Sequence, residues 1–324
     1  MTEWALILLL VLLISLIYPI IRARFFSPVT HEKPASGNDL GVENLYKHVH
    51  YLTVRIGSRS VTEYKKIKEA KDYIETVLKD LGFDYTFQTY QCMGNAFSNI
   101  IVTIPGQKEP GKIFIIGAHY DTVLGTPGAD DNASAVATLL ELCRLLKSYQ
   151  PSKTLKLIFF VLEEPPAFRT SYMGSYVYAK KAKENKEKIY GMISLEMLGY
   201  YNTVKGAQMY PLPLMGFFYP NVPNFIGVVG NLKSRKLVKK IANSIKKSSS
   251  IPVETLSTIK FVPGVDFSDH GSFWKMGYPA VMITDTAFYR NPNYHTPDDT
   301  IETLDFDQMA KLLQGIKQSA IDLT

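Results

Sequence analysis

The sequence predicts an α/β fold: one domain on a central mixed, mostly parallel sheet flanked by helices, preceded by a single N-terminal transmembrane helix. Three observations predict it. Continuous apolar runs of strand length recur without polar alternation, as expected of strands covered on both faces. Stretches with apolar residues at three- and four-residue steps alternate with those runs, the pattern of strand–helix–strand units. The chain has 324 residues, and setting aside an apolar N-terminal segment leaves about 300, which suits one large α/β domain.

In chain order, residues 4–21 read WALILLLVLLISLIYPII, a run relieved only by Ser15 and Pro19. At 1.5 Å per residue it is just long enough to cross a bilayer core, and Trp4 and Tyr18 lie near its ends, where interfacial aromatics belong. The start, Met1-Thr2-Glu3, carries no basic residue, and Arg22-Ala23-Arg24-Phe25-Phe26 offers no small-x-small cleavage site. Both features favour an uncleaved anchor over 1–25 rather than a signal peptide. Arg22 and Arg24 favour a cytoplasmic domain. Residues 26–41, with Pro28, Pro34 and Gly37, read as a linker, and the folded domain as 42–324.

From Val42 the pattern is helical, and a periodic stretch over 64–81 stops at Gly82. Strand-like runs follow at 99–104, 112–117, 155–162, 190–195 and 280–284. Helical stretches lie at 133–148, 175–187, 234–247 and 306–321. No internal repeat or low-complexity tract interrupts them.

The formal net charge of +6 is spread thinly. The densest basic stretch, KKAKENKEK at 180–188, carries two Glu and reads as a solvated helix face, not a nucleic-acid patch. Cys92 and Cys143 form no CxxC pair, which excludes a thiolate zinc site, and both read as small buried residues.

Acids and histidines collect just after the strand-like runs. Gly117-Ala118-His119-Tyr120-Asp121 follows one, and Gly128-Ala129-Asp130-Asp131-Asn132 opens a helix. Glu163-Glu164 and Glu196 end two more, and Tyr294-His295-Thr296-Pro297-Asp298-Asp299 follows the last. Open α/β sheets bind ligands beyond the carboxyl ends of their strands, where all five clusters would meet. Converging carboxylates repel one another unless a cation sits among them. Two His and several carboxylates without Cys suit zinc, or less often cobalt or manganese.

The run GAHYDTV, then GADDNAS, EE, SLEMLGY and YHTPDDT, resembles the co-catalytic zinc exopeptidases of clan MH over about residues 40 to 320. These are the leucyl aminopeptidase, glutamate carboxypeptidase and glutaminyl cyclase relatives. The resemblance implies two zinc ions and a peptide substrate. His119 and Glu196 resemble ligands of one metal, Glu164 and His295 ligands of the other, and Asp131 the carboxylate bridging both. Glu163 is similar to the general base, and Asp121 to the acid that orients the His119 imidazole. A cis peptide between Asp131 and Asn132 is implied as well. Tyr294 stands where some relatives place an oxyanion-stabilising Tyr, and His270 falls in a segment that lines the pocket in relatives.

One departure concerns the Glu pair. In the peptidases a Gly-Leu-x-Gly-Ser turn follows closely; here 165–172 form a longer loop containing Arg169, similar in length to the insertion in glutaminyl cyclases. An aminopeptidase is the leading expectation, a glutaminyl-peptide cyclotransferase the alternative. A metal-free receptor-like binding module on the same fold is the alternative of another class. Ser268-Asp269-His270 invites comparison with a serine triad, but no G-x-S-x-G turn surrounds it. His48 and His50 read as core or surface residues.

Overall fold

The computed structural model describes residues 41–259 and 261–324. The expected anchor over 1–25 and all of the expected linker except Gly41 lie outside the described residues. Among the described residues, no helix is long and apolar enough to cross a membrane.

The continuous apolar runs have a simple cause: each strand feeds two cores. Along β3 (Glu109–His119), Phe114, Ile116 and Ala118 face one core while Ile113 and Ile115 face the other. In β4 (Lys153–Phe160), Leu155, Leu157 and Phe159 alternate with Ile158 and Phe160 in the same way. Side chains alternate with period two, so a strand buried on both faces has no polar positions left.

The sheet has eight strands in the order β1-β2-β4-β3-β5-β8-β6-β7. The further strands are β1 (Tyr85–Cys92), β2 (Asn95–Ile104), β5 (Lys188–Glu196), β6 (Ile226–Asn231), β7 (Val253–Thr258) and β8 (Ala280–Thr284). The central four, β4, β3, β5 and β8, are mutually parallel, so their carboxyl ends share one edge. Antiparallel pairing appears where β1 and β2 flank one side and where β6 meets β8.

Helices α1 (Val42–His50), α2 (Tyr64–Asp80), α3 (Ala135–Leu145), α5 (Arg235–Ser248) and α7 (Phe306–Leu323) cover the larger core. The smaller core lies under α4 (Gly174–Glu184) and α6 (His270–Lys275). α2 buries Ile67, Ala70, Ile74 and Leu78 at helical spacing and is followed by Gly82 at φ 71, as the sequence predicts. α3 is buried from Ala135 through Cys143, so it is covered all round rather than striped, with Thr138 and Glu141 its polar exceptions. Cys92 and Cys143 are free and buried.

α5 and α7 cross closely at Gly315. A Cβ built there would lie 2.7 Å from Cγ2 of Ile245. Gly315→Val should overpack this crossing and cost about 1–3 kcal/mol of stability, measured by denaturant unfolding. An unchanged midpoint would show that the two helices separate freely.

Candidate metal centre

His119 is the last residue of β3, and Glu196 the last of β5. Glu163 and Glu164 follow β4, and Asp131 lies in the segment Ala129–Ser134 that leads into α3. His295 comes from the loop after β8. The shared carboxyl edge of the sheet brings all five expected donors and Glu163 together.

His119 Nε2 lies 3.4 Å from Asp131 Oδ1 and 3.4 Å from Glu196 Oε2. His295 Nε2 lies 3.2 Å from Asp131 Oδ2 and 3.3 Å from Glu164 Oε2. Asp131 thus turns one oxygen to each histidine. Its carboxylate belongs to two compact donor groups, His119/Asp131/Glu196 and Asp131/Glu164/His295, while His119, Glu163 and Glu164 form a third. Glu163 Oε2 approaches His119 Nε2 to 4.0 Å.

The donors fit a divalent cation. Asp131 Oδ1, Glu164 Oε1 and His295 Nε2 are buried and have no hydrogen-bond partner among the described residues. Buried polar atoms without partners are rare unless something else satisfies them. His119 Nδ1 lies 3.2 Å from the backbone carbonyl of Asp121, which makes Nδ1 the donor and leaves Nε2 a lone pair for a metal. A set of imidazoles and carboxylates with no thiolate is the chemistry of zinc sites.

Backbone amides hold the carboxylates in place. Asp121 accepts from the N–H of Glu163 at 3.1 Å and of Glu164 at 3.0 Å, tying β3 to the loop after β4. Its Oδ1 is 3.6 Å from His119 Nδ1, so the carboxylate grips the Glu pair more tightly than the imidazole it is expected to orient. Asp299 accepts from the N–H groups of Asp130 and Asp131. Asp130 accepts from Gly199 N and Asn291 Nδ2. Asn132 bonds across to Leu195 and Met197, and the Asp131–Asn132 peptide is cis. Ser268 donates to Glu196 Oε2 at 2.6 Å.

Arg59 gives no sign in the sequence. It is fully buried and donates to the carbonyls of Tyr120, Leu52, Gly57, Pro127 and Gly128, clamping the loop between His119 and Asp131. Burial lowers its guanidinium to about 10, still protonated at neutral pH. Asp130 and Asp299 lie inside quoted motifs, yet only the fold shows what their carboxylates grip.

The electrostatics follow from crowding. Burial pushes Glu163 well above the ordinary carboxylate range, and burial together with Asp131 pushes Glu164 up to about 8. Burial also raises Asp269, both of whose oxygens lack a hydrogen-bond partner among the described residues, to about 7. For His295 burial acts downward, but the carboxylates of Asp131 and Glu164 outweigh it and push the imidazole up to about 10.

Tyr294 stacks on the His295 ring with centroids 3.7 Å apart. His270 is fully buried and its Nε2 is 2.7 Å from the Val265 carbonyl, which leaves that nitrogen committed to the backbone. Arg169 pairs with Asp266 and lies over Phe267, so the long loop after the Glu pair is tied to the segment before α6. In the Ser268-Asp269-His270 run, the serine serves Glu196 and the histidine Val265, with no bond between them. His48 bonds Tyr73 in the packing of α1 on α2, away from the sheet edge.

Fold and site together define an α/β domain with a candidate two-metal centre at the carboxyl edge of its sheet. The chain belongs to peptidase family M28, whose profile matches residues 99–320. It is 39% identical over 321 residues to the uncharacterized protein YfbL of Escherichia coli, covering 97% of this chain and 96% of that protein. It is 32% identical to leucine aminopeptidase 1 of Emericella nidulans over 75% of this chain but 61% of that protein. BSAP, a zinc aminopeptidase from Bacillus subtilis, superposes with a TM-score of 0.70 over 90% of this chain and 96% of that one at 15% identity, a likeness that shows the fold.

A metal needs His295 neutral and Glu164 ionised. Without metal, both groups hold protons below about 10 and about 8 respectively. Zinc uptake at neutral pH should therefore release protons, and affinity should fall as pH falls. Calorimetric titration in buffers of different ionisation enthalpy measures this; uptake without proton release would contradict the assignment.

Proposed function

We propose that the protein is a zinc-dependent aminopeptidase that removes N-terminal residues from peptides. The observation that carries this reading is the pair of donor groups sharing Asp131, with Glu163 beside them. His119, Asp131 and Glu196 would hold one ion, and Asp131, Glu164 and His295 the other. Bound zinc would polarise a scissile carbonyl and make water acidic enough to ionise near neutrality.

The chain's own groups supply the rest. Glu163 is buried and its backbone is fixed by Asp121, so its carboxylate is positioned to take a proton and later return it to the leaving amine. Tyr294, adjoining the donors, is a candidate hydrogen-bond donor to a developing oxyanion. An aromatic-walled cavity opens beside Glu196 and Tyr294 and includes Phe225, Phe267 and Met282, which suits an apolar first residue. The leucine aminopeptidase relative supports the same substrate class.

Glu163→Gln should lower kcat by about 10²–10⁴-fold on aminoacyl amides while metal content, measured by elemental analysis, stays unchanged. A mutant as active as the parent would remove Glu163 from this role. Ring closure of Gln-initiated peptides without hydrolysis would assign the site to a cyclotransferase instead.

We also propose that residues 4–21 anchor the protein in a membrane, with Arg22 and Arg24 holding the catalytic domain on the cytoplasmic side. Lys108 is exposed in the turn between β2 and β3 and offers a reporter position. Lys108→Cys should react with a membrane-impermeant maleimide only after cells are permeabilised. Labelling of intact cells would reverse the orientation.

A further inference from the structure

Two connecting segments wall the cavity beside Glu196. One is the connection between β5 and β6, which contributes Tyr210 and Tyr219; the other is the connection between β7 and α6, which contributes Val265 and Phe267. Hydrogen bonds join them through Tyr289, which accepts from Met209 N at 2.7 Å and donates to the Pro263 carbonyl at 3.3 Å.

The outer side of these walls is apolar. Leu214 is 59% exposed and Phe217 61%, on the short turn Pro213–Phe217, and Leu212 is exposed just before it. On the other wall Ile259 is 52% exposed and Phe261 79%. Residues 206–224 contain no charged side chain at all. Solvated connections are polar, and a cluster of large apolar side chains at a site's mouth marks a contact surface.

Something on the chain itself says what that contact is. The apolar run 4–21 is followed by 19 residues, 22–40, before Gly41. Whatever their conformation, 19 residues reach no further than about 65 Å, so an anchored domain stays at the bilayer. Gly41 packs beside Glu141 and Leu313, and a tether of this reach lets the domain turn the mouth of its site to the lipid. Leu, Phe and Tyr over the uncharged stretch 206–224, with one lysine, Lys260, between Ile259 and Phe261, match the headgroup–acyl boundary, where a basic side chain reaches the headgroups.

We propose that the two walls form a lipid-docking rim, which seats the mouth of the site at the bilayer interface and admits peptides adsorbed there. This rests on the anchor reading above. The rim enters the interface through Leu214 and Phe217 on one side and Ile259 and Phe261 on the other. Peptides held on the membrane then meet the cavity without crossing bulk water.

The test uses the full chain in phosphatidylcholine–phosphatidylglycerol vesicles. Cys92 and Cys143 are buried, so an environment-sensitive maleimide dye reports selectively from Phe217→Cys, Ile259→Cys or, at the far edge of the sheet, Lys108→Cys. The expected result is several-fold stronger quenching by nitroxide-labelled lipid at 217 and 259 than at 108. Vesicle flotation with equal, solvent-like signals at all three positions would overturn the rim and leave the anchor standing. Dyes at 217 and 259 that are shielded but not quenched by nitroxide lipid would mean that a second copy of the chain covers the rim, and would overturn the proposal. A chain that fails to float would remove the anchor and the rim together. Leu214→Ser combined with Phe217→Ser should leave turnover of a soluble aminoacyl amide unchanged and reduce several-fold that of a vesicle-bound amphipathic peptide; equal effects on both substrates would also overturn it.

Discussion

Crowded, buried negative charge is the constraint on which this architecture depends. Asp121, Asp130, Asp131, Glu163, Glu164, Glu196, Asp269, Asp285 and Asp299 are all buried near one edge of the sheet. Arg59, Arg290, His119 and His295 are the cations set against them. An unpaired buried carboxylate is costly, so a protein keeps such a set only where protons or metal ions neutralise it. The raised Glu163, Glu164 and Asp299, the last pushed up to about 7 by burial and Asp130, show the proton solution. The partnerless Oδ1 of Asp131 faces His119, and Glu164, whose Oε1 also lacks a partner, turns its other oxygen to His295, where a metal would replace those protons.

Holding like charges this close requires rigid supports, and the parallel sheet supplies them. Strand ends fix His119 and Glu196, while carboxylates outside the donor set seize backbone N–H groups: Asp121 those of the Glu pair, Asp299 those beside Asp131. Each such bond both satisfies an acid and aims a neighbour. Asp130 and Asp285 extend this to the turns after β5 and β8, and Asp285 accepts from Tyr200 N and Ala287 N. The positions of the donors are therefore set by backbone geometry more than by side-chain packing.

The strands at 99–104, 112–117, 155–162, 190–195 and 280–284 are legible in the sequence because burial on both faces leaves an unbroken apolar signature. β1 and β7 are not, since they are the two edge strands: YTFQTYQC and VETLST mix polar residues because the side chains of β1 before Cys92 are exposed or half-buried and those of β7 mostly half-buried. β6, IGVVGN, is short, and its two glycines break the apolar run that marks the other inner strands. α6 is too short to show a period. The donors are legible because they sit directly at strand ends, in motifs with a known resemblance. Arg59 is not, because its partners are carbonyls rather than acids, and a residue that binds backbone leaves no complementary charge in the sequence. The clamp by Asp121 and Asp299 is likewise invisible until β3, β4 and the final loop are seen side by side.

The central claim is that the five donors form one two-metal centre around Asp131. Anomalous diffraction at the zinc edge from zinc-loaded crystals tests it most directly. The account predicts two peaks, one among His119, Asp131 and Glu196 and one among Asp131, Glu164 and His295. Zinc bound elsewhere, with these five side chains free of metal, would contradict it.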